Sequence, residues 1–344
     1  MNLFRISHFD LYYLYSNSTK TDNVKWTGLI RYDWNTTNYE AEDGHREPET
    51  NNLKLRFTPS ITINENWTGY SEIDYNVNAD ETHAATGENL EVSKIYAEGV
   101  YGKADIKLGR FGSFSDASHG LFFDDKVTGA EVVYAPTSNW KVKATAGRID
   151  AVNGTDTNGD GIFAFAADDE ASSATYYGAE VLYNNGKLEA GVGYHAFGAN
   201  QTWVGNDNDK YQVVDAGVGY AFDKNVKATF DYARGNEFAD DEFSKDAYSA
   251  QVSYKGADAA QKGSWGAYVA YRSLSPIAAL QATYDHKNGN AGFRSLKGWE
   301  IGADYAWAKN IVSTFKYFNG KDTDSEYSGR DKVTGVWSRV DFMF

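Results

Sequence analysis

The chain has 344 residues, a net charge of −15 and no cysteine. The charge excludes nucleic acid as a partner, because phosphates need basic surfaces, and the lack of cysteine excludes disulfide frameworks and thiolate metal centres. No run of 18 apolar residues exists, so membrane-spanning helices are excluded. A barrel escapes that test because half of every strand is polar.

Residues 1–23 are a lead without an assignable structure. Met1 to Lys20 lacks the basic stretch followed by an apolar core that a secretory signal requires. From Val24 onward one unit recurs about sixteen times, each roughly ten residues of alternating apolar and polar character. In the first, Val24, Trp26, Ile30, Tyr32 and Trp34 share one face and Lys25, Thr27, Arg31 and Asp33 the other. The pattern predicts strands over 24–34, 52–63, 67–77, 91–101, 104–110, 127–135, 140–149, 174–184, 187–197, 211–222, 225–235, 246–255, 263–273, 297–307, 310–318 and 333–344. Residues 277–286 are assigned to a loop, which keeps the number even.

The junctions alternate. Short ones, such as Asn64-Glu65-Asn66, Gly102-Lys103, Asn185-Gly186 and Asp223-Lys224, carry hairpin-turn residues, and long polar loops lie between them. Aromatic residues gather near strand ends (Trp26, Tyr134, Trp140, Trp265, Trp299, Trp307), as at membrane interfaces. A greasy face opposite a charged face needs two solvents. The sequence therefore predicts an all-β fold: a transmembrane antiparallel β-barrel of sixteen strands over residues 24–344, with a water-filled lumen rather than a packed core. A barrel must cross an inner membrane before it inserts, so a leader is expected beyond this sequence. A soluble sandwich or propeller would bury its apolar faces against each other and tend to use shorter strands.

Several motifs resemble trimeric bacterial general diffusion porins. Residues 63–76, INENWTGYSEIDYN, resemble their second-to-third-strand hairpin, and 104–112, ADIKLGRFG, the strand ending in a Gly-Arg pair before the constriction loop. Residues 127–136, VTGAEVVYAP, resemble the strand after that loop, and the terminal Phe344 resembles the signal read by the barrel-assembly machinery. Residues 297–321, KGWEIGADYAWAKNIVSTFKYFNGK, are closer to porin domains of outer-membrane proteins that an N-terminal S-layer-homology segment tethers to the cell wall. No such segment stands in this sequence, so a tether would act only through a part absent here.

The resemblance implies an outer-membrane homotrimer with an infolded third extracellular loop, here 111–126. Residue by residue, Lys54 and Arg110 match basic constriction positions and Asp74 an acidic wall position. Arg56 replaces a small residue and would narrow the opening. Glu72 shares the inward face with Asp74, and Asp116, Asp124, Asp125 and Lys126 are the loop's charged candidates. Opposed charges across a narrow opening would create a transverse field that favours small dipolar solutes. The alternatives are wetted wall residues with no special role, a substrate-specific channel for sugars, peptides or phosphate (Tyr70, Tyr96 and Tyr268 as aromatic hints), or a membrane anchor.

Asp156, Asn158 and Asp160 followed by Gly161 have the spacing of a calcium loop, with Asp168, Asp169 or Glu170 as a distal ligand. Ala167 stands where a bidentate Glu belongs, which favours an exposed loop tip. The six histidines are scattered (His8, His45, His83, His119, His195, His286), and no catalytic constellation emerges. The expectation is a passive diffusion channel for small hydrophilic solutes and ions, with no enzymatic activity and no cofactor beyond that possible structural calcium.

Overall fold

Residues 23–41, 44–46, 49–79, 89–150, 173–198, 210–236, 244–275, 277–284, 295–323 and 332–344 are described by the structure, a computed structural model. Sixteen wall strands follow one another in chain order. They are β1 (Val24–Lys25, resumed as Gly28–Ala41), β2 (Glu49–Phe57, resumed as Ser60–Thr62), β3 (Trp67–Asn78), β4 (Asn89–Tyr101), β5 (Ala104–Phe114), β6 (Asp124–Tyr134), β7 (Trp140–Asp150) and β8 (Ser173–Asn184). The rest are β9 (Leu188–Gly198), β10 (Lys210–Ala221), β11 (Val226–Gly235), β12 (Asp246–Lys255), β13 (Trp265–Leu274), β14 (Leu296–Ala308), β15 (Ile311–Asp322) and β16 (Lys332–Met343). Each pairs antiparallel with the next, and β16 pairs with β1 from Met343↔Leu29 to Lys332↔Glu40. The sheet therefore closes and leaves no edge, as a hydrocarbon surrounding demands.

Closure at the C-terminus is reciprocal. The Gly28 amide donates to the Phe344 carbonyl (2.9 Å), and the Phe344 amide donates to the Gly28 carbonyl (3.0 Å). The Phe344 ring meets Phe57 edge-on at 5.9 Å. The terminal residue thus ties β16 to both β1 and β2.

All sixteen predicted strands are present. The differences lie at their ends, where pairing carries strands beyond the periodic pattern. β1 runs on to Ala41 and β2 begins at Glu49, with a short strand Gly44–Arg46 between them, so much of the acidic first loop is a raised hairpin. Residues 277–284 lie outside the wall strands, as expected, and form the isolated bridge Phe123↔Gln281 with the β5–β6 connection.

β14 shows why the wall spans a membrane. Its outward residues read Trp299, Ile301, Tyr305 and Trp307, all exposed, while Leu296, Glu300 and Ala306 on the alternate face are buried. Trp299 and Trp307 are eight residues apart, about 26 Å along a strand, which sets two aromatic belts around an aliphatic band. The short-turn rim repeats one local device. Asn64, Asn185 and Asp223 each accept two backbone amides from the residues two and three positions on, at 2.6–3.0 Å. These side-chain caps reverse the chain tightly and fix the register of the strand that follows.

The lumen departs from the sequence-based picture. A contiguous apolar cluster sits inside the barrel: Phe111, Leu121, Phe122, Phe123, Tyr176, Phe197, Tyr211 and Ile277 are almost fully buried among others. One side of the interior is thus a packed core rather than water. Alternation along a strand cannot reveal this, because an inward Phe or Ala looks the same whether it meets water or an infolded loop.

Candidate functional site

The site begins where two strands part. The β4–β5 ladder ends at Ile95↔Arg110, whereas β5 and β6 stay paired up to Phe114↔Asp124. The β5–β6 hairpin therefore leaves β4 and carries the connecting loop, 115–123, into the barrel. Asp124, Asp125 and Lys126, expected on the loop, belong to β6 because this ladder continues past them. The loop is closed by the Ser115 amide on the Phe123 carbonyl (2.8 Å) and by the Phe123 amide on Ser115 Oγ (3.1 Å). Asp116–Ser118 form one 3-10 turn, ended by His119 in the left-handed conformation (φ 49°).

Each residue of that turn meets an acid or base of the wall. The Ala117 amide donates to Glu180 Oε2 (2.8 Å), and Ser118 Oγ donates to Asp215 Oδ2 (2.5 Å). His119 Nδ1 lies 2.5 Å from Asp231 and Nε2 2.7 Å from Glu189. Both partners are acceptors when ionised, so both ring nitrogens carry protons. Burial works against the imidazolium, but the hydrogen bond to Asp231 and the charges of Asp231 and Glu189 outweigh it, and the His119 pKa is raised above 6.5. Lys143 bonds Asp116 (2.8 Å) and Glu180 (2.9 Å), and Lys227 bonds Glu189. Two wall glycines admit the turn. A Cβ on Gly191 would lie 2.6 Å from Ala117 Cα, and one on Gly217 2.6 Å from its carbonyl.

Residues 277–284 complete the plug. The Gln281 amide donates to the Phe122 carbonyl (3.0 Å), the Asp124 amide to the Gln281 carbonyl (2.6 Å), and the Thr283 amide to the Gly120 carbonyl (3.0 Å). Tyr211 donates its hydroxyl to the Ile277 carbonyl. Arg272 lies over the Tyr284 ring at 3.6 Å and bonds Glu300 (2.8 Å) and Ser249 (2.7 Å). The two infolded segments thus share hydrogen bonds and one apolar core on the β5–β13 side of the lumen.

On the remaining wall, charged side chains keep contact with solvent. Lys54 lies 3.4 Å from Asp74, and Arg56 holds Asp74 bidentately at 2.5 and 2.6 Å. Arg56 and Lys94 each reach Glu72 at 3.1 Å, and Ser93 Oγ donates to it (2.7 Å). Arg31 grips Asp341 at 2.6 and 3.0 Å. Four sequence-predicted residues, Lys54, Arg56, Glu72 and Asp74, therefore form one cluster, but their pairing runs between neighbouring strands rather than across to the loop. Asp116 turns instead to Lys143. Lys126 lies 3.4 Å from Glu91, and Asp124 is exposed.

Arg110 differs from expectation. The ladder puts it opposite Ile95 and Thr128, on the face of exposed Leu108, while buried Phe111 takes the inner face. Its Nε donates to the Ser93 carbonyl (3.1 Å), where β4 loses its neighbour. Lys107, on the inner face and 2.9 Å from Glu131, is the inward base of that strand. The loop anchors His119, Glu180, Asp215 and Asp231 were not foreseen as a unit. Their only signal was inward acids recurring on neighbouring strands. Tyr70 and Tyr96 stack at 5.1 Å, but Tyr268 donates to Glu300 (2.8 Å), so the three form no aromatic track. The calcium-type run at 156–161 and Asp168 to Glu170 lie outside the described residues.

His195 is fully buried, with Nδ1 2.8 Å from the Tyr176 hydroxyl and Nε2 3.1 Å from Asp215. Asp215 stands between His195 and Ser118, so the imidazole does not reach the serine oxygen as nucleophilic catalysis requires. His195 thus links β8 to β10 through buried hydrogen bonds to Tyr176 and Asp215.

Three comparisons bear on the chain. The family model described as "Putative porin" matches residues 166–332. No curated protein matches in sequence. Among solved structures, Pseudomonas putida OprB at high pH superposes with a TM-score of 0.62 at 12% identity, covering 96% of this chain and 97% of that one. A triple mutant of the Rhodopseudomonas blastica porin gives 0.52 at 12% identity, covering 93% and 100%. The chain thus shares the closed, sixteen-stranded antiparallel β-barrel fold of these porin structures.

Proposed function

We propose that the protein is a passive diffusion channel for small hydrophilic solutes and ions, with Lys54, Arg56, Glu72 and Asp74 on the wall of its narrow part. One observation carries the reading. Inward-facing Lys54 and Arg56 keep about a quarter of their side-chain surface exposed, and within a closed barrel that exposure can only be to water in the lumen. The opposite side is dry, filled by the two infolded segments. The conducting path therefore runs between a rigid plug and a charged wall and needs neither an energy source nor a cofactor.

Single-channel recording in a planar bilayer tests this. Ohmic conductance that does not saturate with solute is the expected result, and a silent or solute-saturable channel would refute it. Lys54→Ala is expected to raise conductance by removing a long side chain from the path. Arg110→Ala is expected to leave it unchanged, and an equal effect of both would place Arg110 in the lumen after all.

The assembly is read as a homotrimer. The resemblance of residues 63–76 and 104–112 to trimeric diffusion porins supports this. Three equal conductance steps, and a trimer mass after cross-linking, would bear it out. The reciprocal bonds of Phe344 also support its reading as the assembly signal. Deleting it should leave the barrel unfolded in cells, seen as loss of heat-modifiable electrophoretic mobility. A tethering role would rest on a segment outside this sequence, and co-sedimentation of the native precursor with purified cell wall would test it.

A further inference from the structure

Charges on the open wall are nearly balanced in number but not in presentation. Asp341 serves both Arg31 and Arg339, Asp74 both Lys54 and Arg56, and Glu72 both Arg56 and Lys94. Five cations thus lie on three carboxylates. Asp33, paired with Arg339 in the ladder, and Glu91, paired with Asp74 and 3.4 Å from Lys126, are further acids of this surface. The cations keep 21–29% side-chain exposure, whereas Asp341, Asp74 and Glu72 keep 5–13%. Lys107 and Glu131 repeat the pattern at 27% and 4%. The longer bases arch over shorter acids, so ammonium and guanidinium groups meet the water.

The acids of the other side are withdrawn from the path. Glu180, Asp215 and Asp231 are buried under the loop they anchor, and Glu300 under Arg272. Two pairs reverse the pattern: Asp116, at 48% exposure over a buried Lys143, marks the acidic lip of the plug, and Glu91, at 49% beside Lys126 at 29%, lies at the edge of the basic wall. A small ion passing the wall meets positive groups first, with low-dielectric protein behind them to concentrate their field.

Resting on the channel reading above, we propose that the pore selects for anions, favouring small carboxylates, phosphates and chloride over cations, although the whole chain carries −15. Net charge does not oppose this. Charges outside the constriction are screened beyond about 10 Å at 0.1 M salt, and Asp341, Asp74 and Glu72 are covered by their own partners.

Reversal potentials under a KCl gradient near 0.1 M decide the matter. The expected result is chloride preferred over potassium by about threefold or more, with the ratio falling as salt rises and screens the wall. Potassium preference, or none, would overturn the inference while leaving the channel intact; silence in every salt would overturn the channel reading itself. The double variant Lys54→Gln with Arg56→Gln should shift the reversal potential toward potassium, and an unchanged value would remove these residues from the filter. Because that variant uncovers Asp74 and could misfold, the unmodified protein supplies a second readout. Citrate on one side should block reversibly and spermine should not; the opposite order would sink the proposal.

Discussion

Excision of residues 277–284, bridged by a short glycine-serine link, is expected to raise single-channel conductance several-fold while the barrel stays folded. That segment supplies three backbone hydrogen bonds to the loop region at Gly120, Phe122 and Asp124 and much of the apolar surface that buries it. Without it, Leu121, Phe122 and Phe123 would face water, and the loop would lose its fixed place in the lumen. The wall would not follow, because the strand pairs β1 to β16 make no use of the segment. Phe122→Ala is the milder form. Phe122 is fully buried, 4.5 Å from the His195 ring and 6.0 Å from that of Phe197, and truncating it should weaken loop docking by about 3–5 kcal/mol. Noisy current from a barrel of normal heat-modifiable mobility is the signature. Unchanged conductance in the excised variant would mean that the plug does not limit flow.

Alkaline pH should loosen the same loop from its other end. Protonated His119 bridges Glu189 of β9 and Asp231 of β11, with Lys227 on Glu189 and Ser118 on Asp215 of β10 beside it. Its pKa is raised in the folded state. The stabilisation is therefore fully present below the unfolded value of 6.5 and is lost as pH rises through the higher folded value. Current fluctuations from loop motion should increase across that window in the native protein. In His119→Gln they should be present at every pH and independent of it. Equal pH dependence in both proteins would mean that another group titrates, with the acids of β9 and β11 next to be tested by Glu189→Gln and Asp231→Asn.

Most of the wall was legible in the sequence because its physics is local. Period-two alternation, turn residues such as Asn64, Asn185 and Asp223, and paired aromatic belts all act within ten residues or between adjacent strands. That is why β8, β12 and β14 fall within a residue of their expected bounds. The Lys54–Arg56–Glu72–Asp74 cluster was legible for the same reason, since β2 and β3 are hairpin neighbours.

Where locality ended, the expectations changed. Arg110 was assigned inward by analogy, but its orientation follows from register against Ile95 and Thr128, and the ladder there sets it on the outer face. Loop acids were expected to oppose the bases across the opening. The turn instead binds an acidic wall through His119, Ser118 and a backbone amide, contacts that span 63 to 112 residues.

By itself, then, the sequence determined a closed barrel, its strand number and, Arg110 apart, which side chains of the charged wall face inward, because each depends on neighbouring residues and on the two solvents a strand separates. Only the tertiary structure decided that part of the lumen is a packed core, that 277–284 joins the third loop in filling it, and which charges reach the water. Those properties depend on segments far apart in the chain competing for one enclosed volume.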